Sequence, residues 1–226
     1  MASGRTKVSV RCIIFDLDGV ILDSEPSIRQ SLDVAFAAIG QTTVTDQEIR
    51  LIIGPPLLEG IQLLLEKRGQ SAEAATEVLF RYRSHYQKFG VSNSRLFGGV
   101  EKVLRILREE GSFLAVATSK PARFTLPILK NTGIASYFSV VGAPADGEEY
   151  ETKTKTLAKV LEYVPSKSIE QAVMVGDRDV DMKAAVLCGI TGVGVLWGHG
   201  LESELMDAGA VVVFQKKSDL LKHLLG

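Results

Sequence analysis

An α/β fold is predicted for this chain, a doubly wound parallel sheet with an all-helical insertion, and three observations predict it. Short β-branched apolar runs recur along the sequence, helical patterns closed by glycine separate most of them, and residues 23–95 offer helices but no strand. Alternating strand and helix of this kind specifies a Rossmann-like core. The long helical interval specifies a cap laid over the edge of the sheet where open α/β folds keep their ligands.

Each element follows in order. The run VSVRCIIF, Val8 to Phe15, is continuous in apolar character towards its end and too short for a helix, so it reads as a buried parallel strand. Ile28, Leu32, Ala35, Phe36 and Ile39 then form one helical face ending at Gly40. Thr45 and Glu48 make a capping box for a second helix, and Gly54, Pro55 and Pro56 force a break. Leu57, Leu58, Ile61 and Leu65 stripe a third helix up to Gly69, and Val78, Leu79, Tyr82 and Tyr86 a fourth that is expected to stop near Gly90. Strand runs return at FLAVA (Phe113 to Ala117), FSVVG (Phe138 to Gly142), AVMVG (Ala172 to Gly176), GVGVL (Gly192 to Leu196) and AVVVF (Ala210 to Phe214). The helical faces between them end at Gly111, Gly133 and Gly189. The expected division is a core of residues 1–22 and 96–226 and a cap of residues 23–95.

Composition narrows the function classes. The chain has 226 residues, 46% of them apolar and 23% charged, which is globular and long enough to bury a core without staples. A formal net charge of -1 provides no basic field for nucleic acid or an anionic membrane, and no apolar run approaches the length of a membrane span. Cys12 and Cys188 sit in apolar stretches without metal-ligand spacing, which points to a reducing cytoplasm.

Chemistry-bearing residues gather at strand ends. IIFDLDGVILDSEP sets Asp16 and Asp18 at the mouth of the first strand, two carboxylates able to hold a divalent cation and still offer a nucleophile and a proton carrier. No GxxxxGK[ST] accompanies them, which removes a P-loop enzyme. VMVGDRDVDM brings Asp177, Asp179 and Asp181; with Met182 and Cys188 where a calcium loop needs Gly and Glu, an EF-hand fails, and a second acidic strand edge remains. FLAVA runs into Thr118, Ser119, Lys120 and Pro121, a hydroxyl and amides at a helix start that can cradle an anion as well as cap the helix. Lys153 and Lys155 open the next helix, where the dipole mildly disfavours a cation unless an anion is bound nearby.

In order and spacing, DxDG, a hydroxyl, a lysine and GDxxxD resemble the haloacid dehalogenase superfamily of phosphohydrolases over nearly the whole chain. FDLDGVILDSEP, IGPPL, ATSKP and MVGDRDVDM are similar to its phosphoglycolate phosphatase-like branch, which has a helical cap and includes nucleotidases, pyrophosphatases and β-phosphoglucomutase. The resemblance implies a Mg²⁺-dependent phosphatase for a small phosphorylated metabolite, monomeric or weakly homodimeric. It implies Asp16 as the nucleophile that becomes an aspartyl-phosphate and Asp18 as general acid and base. Thr118, Ser119 through its amide, and Lys153 are the implied phosphate clamp. The implied metal ligands are Asp16, the backbone carbonyl of Asp18, and Asp177, with Asp181 supporting them.

That division is physically sensible, because phosphoryl transfer asks mainly for positioning and charge neutralisation. A second carboxyl beside the nucleophile supplies the leaving oxygen with a proton, which a true dehalogenase does not need. Two features depart from the family pattern: ETKTK lacks the proline that often follows the lysine, leaving Lys153 and Lys155 both open, and LFGGV at Leu96 to Val100 replaces a more usual Pro-Gly. His85, His199 and His223 show no catalytic or metal spacing, and Trp197 follows a strand end where it could border a pocket. Arg50 and Leu57, flanking the Gly-Pro-Pro break, are the cap residues expected to set specificity. The rival readings are a β-phosphoglucomutase-like phosphotransferase, a pyrophosphatase and a receiver-like phospho-binding regulator; a receiver carries its Asp on a middle strand and has no cap.

Overall fold

A computed structural model describes residues 12–53, 56–146 and 151–226. The chain runs β1 (Cys12–Phe15), β2 (Leu22–Asp23), α1 (Glu25–Ala37), α2 (Asp46–Ile52), α3 (Leu57–Lys67), α4 (Ala75–His85), α5 (Val91–Asn93) and β3 (Arg95–Leu96). It continues through α6 (Val100–Glu109), β4 (Phe113–Ala117), α7 (Ala122–Asn131), β5 (Val140–Gly142), α8 (Lys153–Leu161), α9 (Ser166–Ile169), β6 (Val173–Gly176), α10 (Asp179–Leu187), β7 (Thr191–Val195), α11 (Glu202–Asp207), β8 (Val212–Phe214) and α12 (Lys217–Leu225).

Among the described residues one sheet has the order β5-β4-β1-β6-β7-β8, every pairing parallel. From β1 the chain moves outward through β4 and β5, then returns to lay β6, β7 and β8 on the other side, so the topological switch falls at β1. Alternate residues of β1 feed two faces: Ile13 and Phe15 join the cluster holding Leu104, Leu107 and Leu220, while Cys12 and Ile14 join that of Leu157, Val160 and Ala184. Helices therefore cover both sides, as a parallel sheet with two apolar faces requires. No helix of the described residues is long and apolar enough to cross a membrane.

Between β2 and β3 the regular elements are helical, and β2 and β3 pair antiparallel where the chain leaves the sheet layer and returns to it. Ile28, Leu32, Phe36, Ile61, Leu64 and Tyr86 of this segment belong to the same apolar cluster as Ile13 and Phe15. The capping box forms as expected: Thr45 accepts from the Glu48 amide, and Glu48 accepts from the Thr45 amide at 2.9 Å. Arg68 also grips Glu48 at 2.7 Å, and this hydrogen bond above all holds the Glu48 carboxyl down at about 2.

Two expectations meet corrections or limits. The fourth helical run ends three residues past Gly90, at Asn93, rather than at the glycine. A π-helical turn over Tyr86–Gly90 leads straight into α5, and Gly90 has a helical φ of -66°. Gly90 is there for packing, because a Cβ on it would fall 2.3 Å from a carbon of the Tyr86 ring. Val8 to Arg11, Gly54 and Pro55 lie outside the described residues, while Pro56 is the N-cap of α3.

Candidate active site

Register builds the site. Phe15 pairs with Val116 on one side and Val175 on the other, so the residues just beyond the ends of β4, β1 and β6 converge on one edge. Asp16, Thr118 and Asp177 are those residues, all buried. The Asp16 amide donates to the Val175 carbonyl at 2.9 Å, which fixes its side chain between the two neighbours. After Asp18 the chain must turn at once, and Gly19 does so with φ +82°; a Cβ there would also collide with the Asp177 carboxylate.

Asp16, Asp177 and Asp181 form a buried acidic group, with a carboxylate oxygen from each within 4.8 Å of the others. Lys153, the first residue of α8, reaches into it: its ammonium lies 2.5 Å from Asp16 Oδ1, donates to the Ala117 carbonyl at 3.1 Å, and pairs with Asp181 Oδ1 at 2.9 Å without hydrogen-bond alignment. Lys155 instead projects outward, 3.5 Å from Glu151, with 62% of its side chain exposed. The ambiguity between the two lysines is a matter of helix geometry. Asp181 sits in the first turn of α10, where its other oxygen accepts the Arg178 amide at 3.1 Å.

Charge in this group does not balance. Burial, aided by Asp181 and Asp18, pushes the Asp16 carboxyl up to about 7 against the pull of Lys153. Burial and then the Asp181 and Asp16 carboxylates push Asp177 well above the usual carboxylate range, opposed by the His199 amide 2.7 Å from its Oδ2. Asp177 Oδ1 is buried with no hydrogen-bond partner. Three buried carboxylates facing one ammonium, two of them with a buried oxygen that accepts no hydrogen bond, are a set that fits a divalent cation.

The haloacid dehalogenase-like hydrolase family pattern matches residues 13–195. The chain belongs to that family. It is 36% identical to the tyrosine-protein kinase PtkA of Mycobacterium tuberculosis over 96% of this chain and 73% of that protein. It is 29% identical to the phosphoglycolate phosphatase of Vibrio cholerae over 96% of this chain and 98% of that one, which sets it in the phosphoglycolate phosphatase-like branch. A solved structure of a predicted phosphatase from Clostridium acetobutylicum superposes with TM-score 0.84 at 28% identity, covering 96% of this chain and 99% of that one.

In this haloacid dehalogenase-like hydrolase a cavity opens over the strand ends. Asp16, Asp18, Thr118, Ser119 and Lys153 line its floor; Ile28, Ile52, Ile53, Leu57, Tyr82 and Arg83 of the helical segment line its roof. Of the two expected specificity residues, only Leu57 is there. Arg50 is exposed and does not line the cavity, because it occupies the last turn of α2 on the face away from the packed Ile49 and Ile52. Its backbone carbonyl instead accepts from Arg178, which also bonds the Ile53 carbonyl and pairs with Glu204 at 3.0 Å.

Several residues went unread in the sequence. Lys120, largely buried, lines the cavity, paired with Asp18 Oδ2 at 3.1 Å and donating to the Tyr86 hydroxyl at 2.9 Å. Burial disfavours its charge, but Asp18 and Tyr86 outweigh burial and hold its pKa above the usual lysine value. Its sequence signal was its place one residue after the Thr118-Ser119 cradle, while Tyr86 gave only a core stripe. Trp197 does not border the main cavity; it donates to the Val20 carbonyl at 3.0 Å under the Lys217 ammonium. His199 contributes its backbone amide to Asp177, and His85 bonds Ser31, so neither ring enters the acidic group.

Proposed function

We propose that the protein is a Mg²⁺-dependent phosphatase acting on a small phosphomonoester through an aspartyl-phosphate on Asp16, with residues 23–95 as a cap over a core of residues 1–22 and 96–226. The observation that carries this reading is the Asp16 carboxylate at a strand end, 2.5 Å from the buried Lys153, with Asp18 beside it. Asp16, Asp177 and the Asp18 carbonyl would hold Mg²⁺, with Asp181 supporting them and Lys153. The ion would offset carboxylate and phosphate charge and orient the phosphoryl group.

Thr118, the Ser119 amide and Lys153 hold the phosphoryl oxygens. An Asp16 oxygen attacks phosphorus as the bond to the ester oxygen breaks, and the protonated Asp18 gives its proton to that leaving oxygen. Water then attacks the phosphorus of the aspartyl-phosphate, its proton passes to Asp18, and the Asp16 carboxylate and inorganic phosphate are released. Water exclusion falls to the apolar roof of Ile52, Ile53 and Leu57. The free cysteines suit a cytoplasmic setting.

A phosphate-release screen tests the reading. Phosphoglycolate, nucleoside monophosphates, hexose phosphates, pyrophosphate and p-nitrophenyl phosphate are each offered with Mg²⁺ and with EDTA. Mg²⁺-dependent release from at least one monoester is expected. Release from pyrophosphate alone, isomerisation of a sugar phosphate without release, or transfer from ATP to a tyrosine as the name of PtkA describes would replace it.

A further inference from the structure

Lys120 lines the cavity, yet the proposed phosphate clamp of Thr118, Ser119 and Lys153 makes no use of it. Its side chain is 6% exposed, and a buried ammonium costs several kcal/mol unless it is paired and hydrogen-bonded. Its partners come from two parts of the fold: Asp18 Oδ2 at 3.1 Å from the strand edge, and Tyr86 from the helical segment, through the hydroxyl at 2.9 Å and the ring face at 4.6 Å. Tyr86 is itself fixed. It stacks on Tyr82 with centroids 5.4 Å apart, meets the edge of Phe124 at 5.3 Å and lies against Gly90 in the π-helical turn. On the other side of the contact, Asp18 Oδ1 is buried without a hydrogen-bond partner while Asp18 lines the cavity.

We propose that Lys120 is a positioning residue for Asp18, held in place by Tyr86. By tying down one oxygen of Asp18, Lys120 leaves the other for the ester oxygen, and Tyr86 holds Lys120 in place for this. The proposal rests on the reading of Asp18 as the proton donor, and its test separates the two.

The test is the dependence of kcat/KM on leaving-group acidity, measured with p-nitrophenyl, phenyl and n-butyl phosphate. A good leaving group departs without a proton, so loss of correctly placed acid slows the alkyl ester selectively. Asp18→Asn serves as the reference and should steepen the dependence most. Lys120→Met should lose roughly 10 to 100-fold on n-butyl phosphate and less than about 3-fold on p-nitrophenyl phosphate. Tyr86→Phe, which deletes one oxygen and keeps the ring packing, should shift the same way by several-fold and keeps the test open if Lys120→Met fails to fold. Lys120→Arg should recover part of the wild-type slope. If Asp18→Asn steepens the slope while Lys120→Met and Tyr86→Phe slow all three esters equally, Lys120 is structural and the proposal is overturned. If Asp18→Asn itself leaves the slope unchanged, Asp18 is not the donor and the underlying reading falls with it.

Discussion

Two lysines two positions apart have opposite fates, and the difference is one of helix phase. Lys153 begins α8 and points its ammonium into the carboxylates at the strand ends, whereas Lys155 faces solvent beside Glu151. We expect Lys153→Ala to lose at least about 100-fold in kcat on every phosphate ester, and Lys155→Ala to stay within about twofold of wild type. Equal damage from both in steady-state assays would contradict this assignment. Asp16, Asp18, Asp177 and Asp181 were legible because each follows a recognisable strand at fixed spacing. Lys120 and Tyr86 were not, because their contact joins residues from separate parts of the chain and leaves no local pattern. Arg50 was misplaced for a related reason: sequence gives proximity to the break, but not the face of α2 on which the side chain lies.

At the scale of elements, the capping box of α2 could be read outright, since both of its hydrogen bonds lie within four residues. Gly90 shows where local reading fails. Glycine after an apolar stripe signals a helix end, yet here the helical path continues and the missing side chain makes room for Tyr86. Replacing a helical glycine by alanine ordinarily stabilises by up to about 1 kcal/mol. At this position the added methyl meets the Tyr86 ring, so Gly90→Ala should destabilise by about 1–3 kcal/mol. Urea unfolding measures it, and a rise in the midpoint would show that Tyr86 relaxes without cost.

For the whole molecule, the sequence yields the strands of the parallel sheet but neither their order nor the short β2–β3 pair. Nothing in FLAVA or AVMVG states that β4 and β6 flank β1; that follows from the sheet, and it is this order that turns separate acidic and hydroxyl strand ends into one site. The helical interruption was legible from periodicity, whereas its continuous packing with the core cluster and its contact through Tyr86 required the structure. We propose that the buried group around Asp16 transfers phosphate with a divalent cation. The most direct measurement is p-nitrophenyl phosphate turnover by the wild type and by Asp16→Asn, each with Mg²⁺ and with EDTA, on protein shown to be folded by its thermal transition. Turnover is expected only for the wild type with Mg²⁺, with losses of about 10³-fold or more in the other three conditions. A folded Asp16→Asn protein that keeps a tenth of wild-type turnover, or a wild type that works equally well in EDTA, would contradict it.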